Sequence, residues 1–336
     1  MNDQMKAEDI QNRQPEDGLI FACILDGRGG GALAGWREVE NANPDVPLWI
    51  HSDRASERVQ QWLRYQSGLT PITVEALLAE ETRPRSFRGK RGTIAILRSI
   101  NSNDGERPDD MVAIRIWSDG NRLITIRHDR VHTPKDLLVE LVIDENGPET
   151  ISAVFERLIS RLTDKISGVV HGFEERLDQI EAELETADPV DTRAALGQLR
   201  REAVVVRRYM APQREAIALI YQEPPNWLDE TSRLRMRETA NRLMQFIEAI
   251  DEARERAIVL DDGIANRMAE TMNRNMYILS IVAAIFLPLG FITGLLGINV
   301  GGMPGVDDAM AFWITCAGIA VLLGVELIIF RRLKWI

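Results

Sequence analysis

Cysteine and histidine are scarce in this 336-residue chain, with two of the first and four of the second. Cys23 and Cys316 lie far apart, and His51, His128, His132 and His171 form no CxxC or Cys/His cluster of the kind a structural zinc site needs. His128 and His132 are four apart, but they follow a strand-like alternation, so a surface pair is expected rather than a metal site. No HExxH, no Ser/His/Asp arrangement and no phosphate loop is visible. The glycine-rich "GRGGGALAGW" lacks the GK[ST] ending and the apolar helix that should follow it, and reads as a loop or hairpin connection. An enzyme is therefore not expected, nor is a covalently bound cofactor or a nucleic-acid partner. The start, "MNDQMKAEDIQNRQPEDG", has no basic-apolar-small pattern of a cleaved signal, and residues 1–17 read as a flexible polar segment.

Charge is the second thing missing, and only from one end. With 27% charged residues and a mean hydropathy of -0.15 the chain is soluble on average. Yet Ile278 to Leu296 has no charged residue, and Ala309 to Phe330 has one, Glu326, close enough to its end to reach a membrane interface. A bilayer core takes about 20 apolar residues in a helix, because each rises only ~1.5 Å. Both runs meet that length, and two of them in succession favour a membrane hairpin over a buried hairpin of a soluble protein. The connection between them lacks Lys and Arg, whereas Arg267, Arg274, Arg331, Arg332 and Lys334 flank the opposite ends. Basic flanks stay inside, so the connection is expected outside, with both termini cytoplasmic in a cell inner membrane. Reducing cytoplasm also suits the free Cys23.

The aqueous part divides in two. In 18–147, "GLIFACILDG", "VPLWIHSD", "GTIAILRSI", "DMVAIRIWSDG" and "NRLITIRHDRV" read as strands, the last two joined by the turn signal "SDGN". Residues 55 to 80 read as two helices broken at Ser67 to Pro71. An α+β cytoplasmic domain follows. In 148–276 the pattern turns to long helices: one ending at Asp188-Pro189, one from about Val190 to Tyr221, and a third from near Leu228 with nothing to stop it before Pro288. That third helix should continue into the first span, a length on the order of 100 Å. Between Glu174 and Asp191 stand eight acidic residues and one basic, Arg176. The ordinary fate of such a run is a solvated face; the alternative is an electrostatic contact with the basic end "RRLKWI".

Along the third helix, alternating steps of three and four pick out Asp262, Asn266, Ala269, Asn273, Met276, Ser280, Ala283, Leu287, Gly290 and Gly294. All but Met276 and Leu287 are polar or small, while the neighbouring faces carry Ile278, Ile281, Val282, Ile285, Phe286, Leu289 and Ile292. Such a stripe is costly against lipid, and two spans cannot enclose it. Several copies are then expected around a common axis, with the Ile278–Leu296 helix inside and the Ala309–Phe330 helix outside; plain helix packing is the alternative use of small residues. The ring would gather copies of Gly297, Ile298 and Asn299 at its outer mouth. Glycine permits a tight turn at the helix end, Asn amides offer neutral oxygens to a hydrated divalent cation, and Leu287 could gate by dewetting.

These residues resemble the CorA superfamily of divalent-cation transporters: a Gly-Ile-Asn version of its Gly-Met-Asn signature closes a Pro-containing first span, followed by a second span and a basic tail. Ile298 in place of Met, and "VGGMPG" after it, are similar to the zinc-associated ZntB branch. The resemblance implies a CorA-like funnel-shaped homopentamer with a pore-lining helix over 277–296, an external loop over 297–308, an outer helix over 309–330 and a basic cytoplasmic end over 331–336. It implies pore positions at Asn273, Met276, Ser280, Ala283, Leu287, Gly290 and Gly294, selectivity at Gly297, Ile298 and Asn299, and a basic inner ring of Arg331, Arg332 and Lys334. Glu238 and Asp262 are the counterparts of its regulatory metal carboxylates. The implied activity is movement of Zn2+ or another divalent cation, with proton-coupled zinc uptake ahead of a passive Mg2+ or Co2+ channel. The net charge of -11 would concentrate cations in the funnel. A membrane-anchored sensor or scaffold is the alternative from another class.

Overall fold

The computed structural model describes residues 6–80, 83–101, 103, 105–106, 110–298, 305 and 308–335. Two compact units divide the chain, Met1–Leu260 and Asp261–Ile336.

A seven-stranded sheet organises the first unit. Its strands are β1 (Leu19–Leu25), β2 (Gly31–Ala34), β3 (Leu48–Asp53), β4 (Arg85–Arg88), β5 (Thr93–Ser99), β6 (Val112–Ser118) and β7 (Arg122–Arg127), in the order β2-β1-β3-β7-β6-β5-β4. Only β3 and β7 pair in parallel; the other neighbours are antiparallel. The glycine-rich stretch is the β1–β2 hairpin. Asp26 Oδ1 accepts from the Arg28 and Gly30 amides at 2.7 and 2.9 Å, and Gly27 and Gly29 sit at φ of 74° and 93°, a region that side chains avoid. β4 is absent from the sequence expectation for a clear reason. "RSFR" is four residues at a sheet edge, too short and too polar to show an alternation.

Strand alternation sends the two faces to different partners. Ile50, Ile94, Ile96, Trp117, Ile124 and Ile126 pack with α2 (Trp36–Glu40), α3 (Glu57–Tyr65) and α4 (Pro71–Leu78), through Trp36, Trp62, Leu63 and Leu77. The break between α3 and α4 falls where Ser67 to Pro71 predicts it, because Thr70 caps α4 and Pro71 fills its first turn. The other face meets α5 (Thr133–Val142), α6 (Ile151–Glu183) and α7 (Pro189–Gln222). Trp49 Nε1 donates there to the Thr125 hydroxyl at 3.0 Å, and His51 Nδ1 lies 2.9 Å from the same oxygen. Burial, then the charges of Arg127 and Lys135, hold His51 well below the usual imidazole range, so it is a neutral core residue.

The long helices obey their seven-residue apolar spacing. α8 (Glu230–Leu296) buries Met236, Ala240, Leu243, Ile247, Ile250 and Ala257 along one line in the first unit, and α6 buries Leu158, Leu162, Ile166, Phe173 and Leu177. Polar contacts between α6 and the start and length of α8 show their directions. Ser152 donates to Asp229 at 2.5 Å, Arg242 contacts Asp164 at 3.3 Å, and Arg256 contacts Asp178 and Glu181 at 2.9 and 2.8 Å. Partner numbers rise together, so α6 and α8 run parallel and α7 returns between their ends. Asp188 accepts from the Val190 amide at 2.7 Å and Pro189 opens α7, which is why the turn falls there. The acidic run is thus not simply a solvated face, since two of its members clamp Arg256 and Arg176 reaches Glu202.

Candidate functional site

The second unit contains the lower-charge part of α8, Asp261–Leu296, and α9 (Ala311–Arg332), both long and apolar enough to cross a membrane. α8 passes through Pro288 without ending. A proline in a helix interior gives up one backbone hydrogen bond, a change tolerated in spans where neighbours resatisfy the carbonyl.

Burial separates the faces of α8. Ile281, Ala284, Ile285, Pro288, Leu289 and Ile292 are partly buried, whereas Asp262, Asn266, Ala269, Asn273, Met276, Ser280, Ala283, Leu287, Gly290 and Gly294 are exposed in the single chain, as are all residues from Asn266 to Ser280 and the flanking Val282, Phe286 and Phe291. At 3.6 residues per turn, the centre of Ser280, Ala283, Leu287, Gly290 and Gly294 lies about 150° around the helix from the centre of the partly buried line. On α9 the partly buried positions are Ala311, Thr315, Ile319, Leu322, Leu323, Gly324 and Glu326, ending at buried Phe330, most of them along one face. The stripe therefore points away from the side on which the helix is covered.

The chemistry along the stripe is muted by the helix itself. Ser280 Oγ donates to the Met276 carbonyl at 2.8 Å, leaving only acceptor lone pairs to face outward. Nothing lies within 4 Å of where a Cβ would stand on Gly290 or Gly294, so neither is needed for packing inside one chain. Leu287 is 77% exposed, unusual for a leucine flanked by glycine and alanine along its line. Gly297 closes the helix by donating to the carbonyls of Thr293 and Gly294 at 2.9 and 3.2 Å. It is not among the left-handed glycines, so the end of α8 does not use the conformational freedom the sequence suggested. Ile298 is exposed, and Asn299 lies outside the described residues.

The opposite end is tied. Tyr277 hydroxyl donates to the Trp335 carbonyl at 2.5 Å, and Trp335 stacks on Phe330 with centroids 5.6 Å apart. Tyr277 and Trp335 at one end, with Phe312 and Trp313 at the other, match the aromatic girdles of membrane interfaces. Arg331, Arg332 and Lys334 are exposed at the tied end. Sequence reasoning missed this clamp, whose only signal was the aromatic beside each basic flank. It sent Glu326 to the interface. The carboxylate shares a helix line with Leu322 and Phe330, and its Oε2 is buried with no hydrogen-bond partner among the described residues.

The proposed regulatory carboxylates are placed separately. Glu238 is exposed in the first unit, 3.7 Å from Arg237, and Asp262 is exposed in the second. Among the described residues no group of three or more His, Cys, Asp or Glu could hold a metal ion, and His128 and His132 join none.

Comparison with known proteins decides what kind of molecule carries this hairpin. The family of CorA-like Mg2+ transporter proteins matches residues 45–332. The chain belongs to the CorA family. It is accordingly a transporter of the CorA type and not an enzyme. The divalent cation transporter CmaX of Pseudomonas aeruginosa is 38% identical over 96% of this chain and 98% of its own length, and its full-length structure superposes with a TM-score of 0.83. The zinc transport protein ZntB of Pectobacterium carotovorum is 35% identical over 95% of this chain and 96% of its own. The CorA magnesium transporter of Methanocaldococcus jannaschii, at 21% identity and a TM-score of 0.77 over 94% of this chain, shares the fold.

Proposed function

We propose that this CorA-family chain assembles as a homopentamer in the inner membrane, both termini cytoplasmic, and takes up Zn2+ through an axial pore lined by the exposed stripe of α8. The observation that carries the proposal is the part of that stripe within the span: Ser280, Ala283, Leu287, Gly290 and Gly294 are uncovered in one chain, about 150° around α8 from the partly buried line. Copies around an axis would cover it, and would do so with bare backbone at Gly290 and Gly294 and hydroxyl lone pairs at Ser280. Neutral oxygens of this kind suit an ion that keeps its water. Asn273 and Met276 would lie at the inner end of the pathway, Ala283 at its middle, and Gly297, Ile298 and Asn299 at its outer mouth. Arg331, Arg332 and Lys334 would form the inner basic ring. No covalent step is involved.

Zinc as cargo draws support from the ZntB relative and from Ile298 standing in the family signature, and coupling to protons is what the resemblance to the ZntB branch implies. A Mg2+ channel is the second reading, favoured by the description of the matching family. Sealed proteoliposomes distinguish them. Zinc entry that grows several-fold under an inward proton gradient is expected, with magnesium entry small and indifferent to it. Gradient-independent magnesium entry exceeding that of zinc would assign the chain to the second reading.

A further inference from the structure

The first unit holds a concentration of positive charge that transport does not use. Beside the sheet end of β7, a cavity of about 380 Å3 is bounded by the Gln11–Pro15 turn, Arg127, Arg130 and Lys135. Arg13 belongs to the turn, so four cations share one space, and no carboxylate lines it. In a chain of net charge -11 this grouping runs against the composition.

Lys135 and Arg127 are held there by structure. α1 (Ala7–Asn12) docks on α5 through buried Ile10 and through Gln11, whose amide donates to Asp136 at 3.0 Å. Lys135, only 8% exposed, donates to the carbonyls of Gln11 and Arg13 at 2.6 and 3.0 Å, which uses two of its three N–H groups. Arg127 is fixed by its place on β7, and its Nε is buried with no hydrogen-bond partner among the described residues. Among the described residues no salt bridge forms to Arg13, Arg127, Arg130 or Lys135. Asp53 and Asp129 act on Arg127 from a distance only, and Asp136 is engaged by Lys165 at 2.8 Å. Burial, followed by the charges of Arg130, Arg127 and Arg13, pushes the Lys135 ammonium down to about 8. Like charges gathered around a cavity, with donors left over, call for a multivalent anion. Arginine forks match the oxygens of a phosphate group two at a time.

We propose that this pocket binds a phosphate-bearing anion, with Arg127 and Arg130 as its principal ligands, Lys135 donating its remaining N–H, and Arg13 closing over it from the N-terminal turn. Binding would join that turn to the sheet. The proposal does not depend on which ion the membrane unit carries.

Full-length protein in detergent tests it, with inorganic phosphate, pyrophosphate and ADP titrated separately at constant ionic strength by calorimetry, and with amide exchange followed over Gln11–Arg13. Saturable binding of at least one probe is expected, with slowed exchange in the turn. Arg127→Gln with Arg130→Gln should weaken it at least about tenfold. Should that variant fold poorly, Arg130→Gln with Arg13→Gln alters side chains nearer the surface and should weaken it similarly. Tighter binding of ADP than of phosphate would make a nucleotide the ligand class; tightest binding of phosphate or pyrophosphate would make it the free anion. No saturable binding by any probe, or equal binding by wild type and folded variants, overturns the proposal.

Discussion

Asn299→Ala is expected to lower zinc flux by about 10- to 100-fold, because a hydrogen bond to a charged group contributes about 1.5–3 kcal/mol and each copy in the ring would lose one oxygen at the same level. α8 ends at Leu296, Gly297 caps it with two backbone bonds, and the chain leaves with Ile298 exposed. An amide one residue further on in the chain, repeated around an axis, would meet the ion before the apolar section does. Radiotracer zinc uptake at equal amounts of folded oligomer is the measurement. Unchanged flux and unchanged preference among divalent cations would remove the mouth from the selectivity mechanism.

Leu287→Asn is expected to act in the other direction, raising zinc entry in the absence of a proton gradient by about tenfold, the factor given by a barrier lowered by ~1.4 kcal/mol. Leu287 is the only bulky apolar member of the stripe within the span, one step from Gly290 and one from Ala283. Several such side chains converging where the pore has little polar lining would exclude water, and an excluded shell costs a divalent cation heavily. An amide of similar size restores wetting without widening the pathway. A variant that transports like wild type under both conditions would show that the barrier lies elsewhere on α8.

Much of the architecture was legible in the sequence because its signals are local and strong. Two apolar runs set the spans, Asp188-Pro189 set a helix start, and "SDGN" set the hairpin between β6 and β7. The elements that were missed have weak local signals. β4 is a polar edge strand held by β5 and α7, and α5 follows a His132 that makes no side-chain cap. The stripe was readable because helical spacing carries over directly to a face. Its position opposite the covered face needed the hairpin to be folded. The cationic pocket was not legible at all, since Arg13 comes from one end of the domain and Arg127, Arg130 and Lys135 from the other, brought together by α1 docking on α5.

The central claim is that the exposed face of α8 lines a water-filled path shared by several copies. Single cysteines along the span, in a background with Cys23 and Cys316 replaced, can be treated with a charged, membrane-impermeant thiol reagent while zinc flux is followed in proteoliposomes. Block at positions 283, 287, 290 and 294, with little effect at 282, 286 and 289, is expected. Block at the second set, or no periodicity along the helix, would contradict the claim.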